Sequence, residues 1–117
     1  MTGLLSYHAG LSAEDQVARD YDRRGYAVAA QRWRGKGGEI DLVLRDGAGY
    51  VFVEVKKSRN FARAADRLTP RQILRLRDAA AEFLGQSPTG LDTAARFDVA
   101  LVDGIGQIHI VENALIG

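Results

Sequence analysis

Three charged residues stand inside the two most hydrophobic segments of this 117-residue chain. Asp41 lies in EIDLVLR (39–45), and Glu54 and Lys56 lie in YVFVEVKK (50–57). The DGAG between them (46–49) is a turn signal, so the pair reads as a β-hairpin. Strand side chains alternate between faces, which puts Glu54 and Lys56 on one face with Phe52. Asp41 shares its face with Glu39 and Val43, and Ile40, Leu42 and Leu44 fall opposite. Pairing around the turn sets Asp41 beside Glu54 and Lys56, near the strand ends.

Such a placement is costly without a purpose. Two carboxylates ~4 Å apart repel by roughly 4 kcal/mol at an effective dielectric near 20. One lysine offsets part of this, and a divalent cation offsets more. Carboxylate oxygens at the rim of a cleft, with water completing an octahedron, suit Mg²⁺, with Mn²⁺ as the alternative. An Asp followed by Glu-x-Lys on the adjacent strand therefore suits metal-assisted hydrolysis of a phosphodiester, with Asp41 and Glu54 as ligands and Lys56 assisting the attacking water. The competing reading is a rim salt bridge from Lys56 to Glu54 or Asp41 on a structural sheet.

The elements that must hold these residues follow from caps, periodicity and turns. Ser12 opens a helix as N-cap, with Asp15 three residues on, and Gly25 ends it. YAVAAQRW (26–33) reads as a strand and RGKGG (34–38) as a glycine loop. After the hairpin, residues 58–68 read as a polar, basic loop. Thr69-Pro70-Arg71-Gln72 starts a helix that runs to about Leu84, with Ile73, Leu76, Ala80, Phe83 and Leu84 on its apolar face. GQSPTG (85–90) is a linker, RFDVALVD (96–103) a fourth strand and QIHIVE (107–112) a fifth. The order predicts one α/β domain over residues 1–117, a mixed central sheet flanked by helices. Both faces of the hairpin strands carry apolar residues, so the sheet is expected to be covered on both sides.

Composition narrows the chemistry. The chain has no cysteine and two histidines, so any metal must be held mainly by carboxylates. No apolar run approaches the ~20 residues of a membrane span, and MTGLLSYHAG lacks the features of a signal peptide, so a cytoplasmic protein is expected. Net charge is only +1, but residues 56–77 carry eight basic residues against Asp66 alone. That stripe reads as a phosphate-binding footprint.

The core GGEIDLVLRDGAGYVFVEVK resembles that of the small bacterial family UPF0102, also called YraN-like. The resemblance extends to the helix around Glu14, GY at 25–26, the TPRQ helix and RFDVALVD. The family is similar to the PD-(D/E)XK nuclease superfamily, which includes archaeal Holliday-junction resolvases. It implies a restriction-endonuclease-like αβββαβ core, with Asp41 as metal ligand and Glu54 and Lys56 as the Glu-x-Lys pair. It also implies Glu14 as a further helical metal ligand, and matches Gln72 to a site-supporting glutamine. Ala13 replaces an expected glycine, and Lys57-Ser58-Arg59 departs from the pattern after FVEVK.

The expected function is a Mg²⁺-dependent endonuclease acting on DNA, with branched, Holliday-junction-like DNA as a candidate substrate. Arg34, Lys36, Lys57, Arg59, Arg63, Arg67, Arg71 and Arg75 are the candidate phosphate contacts, which fix position without reading sequence. A symmetric junction needs two active sites, so a homodimer is a candidate assembly. Two alternatives stand beside this: a nucleic-acid-binding module of the same fold that does not cut, and an adaptor that uses the stripe against an acidic protein. Asp98 and Trp33 are expected to be structural, Glu39 to pair with Arg34 or Lys36 or to reach the metal through water, and His8 and His109 not to be ligands.

Overall fold

The structure, a computed structural model, describes residues 12–114. Helix α1 spans Ala13–Arg23. Its N-cap Ser12 accepts the Asp15 amide at 3.1 Å and donates its hydroxyl to the Asp15 carboxylate at 2.8 Å. The chain leaves α1 through Gly25 at φ +94°, a conformation glycine reaches without a Cβ clash. Strands β1 (Ala27–Arg34), β2 (Glu39–Asp46) and β3 (Gly49–Lys57) form an antiparallel meander. Two helices follow, α2 (Phe61–Asp66) and α3 (Pro70–Leu84), then a 3₁₀ turn over Gly90–Asp92. Strand β4 (Ala95–Val102) pairs parallel to β3, and β5 (Ile108–Val111) closes the sheet antiparallel to β4.

The five strands therefore lie in sequence order in one mixed sheet, covered on both faces. Val17 and Tyr21 of α1 pack on Leu42, Leu44, Val51, Val53, Ala100 and Val102. Leu76, Ala79, Ala80 and Leu84 of α3 pack on Ile40, Val43 and Phe52 on the other face. Among the described residues no helix is long and apolar enough to cross a membrane.

Two expectations need correction. Residues 58–68 are not all loop. Asn60 caps α2 by accepting the Arg63 amide at 2.9 Å, and Phe61, Ala64 and Leu68 turn inward onto Val99 and Leu101 of β4. Arginines between these apolar positions mask a short amphipathic helix. Second, Ile40 does not share a face with Leu42 and Leu44, but joins Val43 and Phe52 under α3. Strict alternation fails there because the sheet is irregular at this end. The β2–β3 ladder stops at Leu42, and on the other side Arg32, between the partners of Leu42 and Ile40, adopts a left-handed φ of 53°. The capping box at Thr69 and Gln72 forms as read, with both reciprocal bonds present.

Candidate active site

The two hairpin acids meet where β2 parts from β3. The ladder between these strands ends with Leu42 opposite Val53. Beyond it, Oδ2 of Asp41 accepts the Val55 amide at 2.8 Å, so a side chain satisfies a strand donor in place of main chain. Glu54, directly beside it, hydrogen-bonds to Asp41. Burial pushes the Glu54 carboxyl up to about 8, helped by that hydrogen bond and by the charge of Asp41. The Lys56 charge and a backbone hydrogen bond at Val55 offset only part of this. Glu54 therefore holds a proton at neutral pH, which relieves the repulsion that two adjacent carboxylates would otherwise suffer.

The pair opens into a cleft of about 250 Å³, lined by Gly38, Glu39, Asp41, Glu54, Gln72, Arg75 and Leu76. Helix α3 supplies one wall and the start of β2 the other. Gln72 serves two ends at once: its Oε1 accepts the Thr69 amide at 3.1 Å, and its side lines the cleft. Glu39 lines the same cleft and pairs with Arg34 at 3.4 Å, one of the two roles its position allowed.

Glu14 is held elsewhere. Its carboxylate lies 3.9 Å from the Arg32 guanidinium, and Arg32 also donates to Ser12 Oγ at 3.3 Å. Among the described residues no three His, Cys, Asp or Glu side chains lie close enough to hold a metal together. The structure thus brings Asp41 and Glu54 together and does not bring Glu14 to them. Sequence reading missed Arg32 as the partner of Glu14. No residue pattern marks a non-glycine residue that will take a left-handed backbone in a strand.

The basic residues spread over the same face as α3. Arg59, Arg63, Arg71 and Lys57 are exposed, as is Arg75 at the cleft. Arg67 is exposed but tied by its guanidinium to the Lys57 carbonyl at 2.7 Å. Arg34 and Lys36 are exposed on the glycine loop.

Other singled-out residues are structural. Asp98 is fully buried and accepts four bonds: the Tyr21 hydroxyl at 2.8 Å, two from Arg96 at 2.9 and 3.0 Å, and the Asn113 amide at 3.0 Å. Burial and the Asp98 bond drive the Tyr21 hydroxyl well above its ordinary pKa, and the bond to Asp98 raises that of Arg96. Trp33 stands edge-on to Phe83 with ring centres 5.4 Å apart. His109 is exposed beside Phe61, and His8 lies outside the described residues.

The chain matches a family model described as "Uncharacterised protein family UPF0102" over residues 13–102. It is 59% identical over 114 residues to a UPF0102 protein of Cereibacter sphaeroides strain KD131, covering 97% of each chain. A UPF0102 protein of Ruegeria pomeroyi is 59% identical over 112 residues, covering 96% of this chain and 91% of the relative. One from Roseobacter denitrificans is 58% identical over 113 residues, covering 97% and 88%.

Proposed function

The chain belongs to the UPF0102 family, and from the acid pair in its cleft we propose a metal-dependent endonuclease that hydrolyses DNA phosphodiester bonds. The observation that carries this reading is the Asp41–Glu54 pair lining one open cleft, with Asp41 holding the Val55 amide where β2 parts from β3. Structural salt bridges do not require a second carboxylate where the first already caps a strand amide. A pair of carboxylates at a water-reached rim fits Mg²⁺ or Mn²⁺, which take one or two protein carboxylates and keep several waters. Asp41 and Glu54 would hold the ion, and Glu39 stands on the same wall.

A bound divalent ion supplies Lewis acidity and charge neutralisation at a phosphodiester. The chain's own groups do the rest. Glu54 must give up its proton before both acids can act as ligands. Lys56, two residues after Glu54 on β3 and acting on it through its charge, would assist the attacking water and balance charge developing on the phosphoryl oxygens. Arg75, at the cleft wall, and Arg71, one turn before it, hold the flanking backbone without reading sequence. Branched DNA is the substrate we favour, with a homodimer supplying two cuts to a symmetric junction. One observation favours a second reading, a nucleic-acid-binding module that does not cut: Glu14 is engaged by Arg32 rather than gathered with the other acids.

The test uses Asp41→Asn, whose amide oxygen can still accept the Val55 N–H, so the ladder end keeps its partner. Wild type should bind Mg²⁺ or Mn²⁺ by calorimetry and cut labelled branched DNA, and the folded variant should do neither. Wild type that binds DNA but takes up no metal at millimolar concentration and cuts nothing supports the binding module instead. Wild type that binds neither sinks both, and leaves the adaptor.

A further inference from the structure

The glycine loop between β1 and β2 lies along α3 rather than in open solvent. An ideal Cβ at Gly38 would meet the Arg75 carbonyl oxygen at 3.2 Å, and one at Gly37 the Asp78 Cβ at 3.2 Å. At Gly35 it would fall on Oε2 of Glu82. Arg75, Asp78 and Glu82 are successive turns of α3, so the loop follows the helix for about 10 Å. At the far end both oxygens of Glu82 accept the Lys36 amide, at 3.0 and 2.8 Å, and Oε2 reaches the Gly37 amide at 3.4 Å.

This is how consecutive backbone amides hold an anion. Three features mark it as more than a tie. These bonds are exposed, so water alone would satisfy the two amides without any carboxylate. Among the described residues Glu82 forms no ion pair within 4 Å, and neither does Lys36, although the two meet through the Lys36 main chain. The carboxylate charge is therefore answered by amides alone, with a free ammonium on the same residue. Finally, Gly35 leaves the space in which the anion sits, and any side chain there would fill it.

We propose that the Lys36 and Gly37 amides form a phosphate-binding site that Glu82 fills in the free protein. An incoming phosphate presents the same pair of charged acceptor oxygens, displaces the carboxylate, and gains the Lys36 ammonium. Gly38 and Arg75 belong both to this strap and to the acid cleft, so a strand lying in the cleft passes the site. The assignment to a nucleic-acid phosphate rests on the proposed function, whereas the phosphate site itself does not.

Amide resonances of Lys36 and Gly37 read the site directly. ¹⁵N-labelled wild type, Glu82→Ala and Asp78→Asn would each be titrated with inorganic phosphate, then with a short single-stranded oligonucleotide. Glu82→Ala should bind phosphate through these two amides about tenfold more tightly than wild type, the worth of roughly one charge-assisted hydrogen bond. Asp78→Asn removes the same charge one turn away without vacating the amides, and should match wild type. Should Glu82→Ala not fold, Glu82→Gln carries the comparison, because its neutral amide holds the site more weakly. Amides that stay unmoved in a folded Glu82 variant, or that move equally in Asp78→Asn, overturn the site. An oligonucleotide that shifts both amides in wild type supports the backbone as the source. Shifts with inorganic phosphate alone keep the site and overturn that source. Metal uptake, measured separately, reports on the acid pair and not on this loop.

Discussion

Glu54 is a carboxylic acid that keeps its proton at neutral pH, and this has a measurable sign. The unfolded chain titrates Glu54 at its ordinary 4.5, whereas the folded protein does so at about 8. The stability from this group is complete below pH 4.5 and is lost as pH rises to 8. Urea unfolding at pH 5 and pH 8 should therefore differ by on the order of 2–4 kcal/mol from this group in wild type. Glu54→Gln, which keeps a donor toward Asp41 and cannot titrate, should remove that slope; parallel pH profiles for the two proteins would refute the shared proton. Asp98 matters for a different reason: it is fully buried and accepts four hydrogen bonds. Asp98→Ala leaves the buried Tyr21 hydroxyl and the half-buried Arg96 guanidinium without their partner and should cost about 1–3 kcal/mol by the same assay. At this scale the sequence was informative where alternation held: Asp41 beside Glu54 follows from the turn position and a period of two. It was silent on Arg32 and Glu82, whose partners depend on a left-handed backbone and on the path of a loop.

Helices and strands were legible where local chemistry agrees with the fold. Thr69 and Gln72 form the capping box that their spacing announces, and Gln72 reaches the cleft from that fixed position. Thr69→Ala should lower stability by about 1 kcal/mol in thermal or chemical unfolding. It should also weaken metal uptake if Gln72 supports the site, whereas unchanged uptake would reduce Gln72 to a capping role. Helix α2 was illegible because six residues give too few turns for a period to stand out against a run of arginines. Its apolar triad Phe61, Ala64 and Leu68 is recognisable only once β4 lies beneath it. The face of Ile40 departs from alternation for a related reason: β2 parts from β3 beyond Leu42, and no residue in EIDLVLR signals it.

For the molecule as a whole, near-neutral net charge conceals a separation. The basic residues of 56–77 follow β3 and run onto α3, while the acids after them lie mostly on later elements. If four or five of these arginines and lysines meet phosphates, the affinity for DNA should fall with salt at a log–log slope of about −4. Arg71→Ala and Arg75→Ala should each reduce that slope by about 1, uniformly across sequences. A flat curve between low and physiological salt would remove nucleic acid as the partner and leave an acidic protein.

Trp33, the chain's one tryptophan, is the last residue but one of β1 and stands edge-on to Phe83, the neighbour of Glu82. Its ring also approaches Gly35, at 2.8 Å from where a Cβ would be built. The protein thus carries its own optical reporter at the start of the glycine loop. Its emission should respond to phosphate displacing Glu82 from the Lys36 and Gly37 amides, without any label and in the unmodified chain.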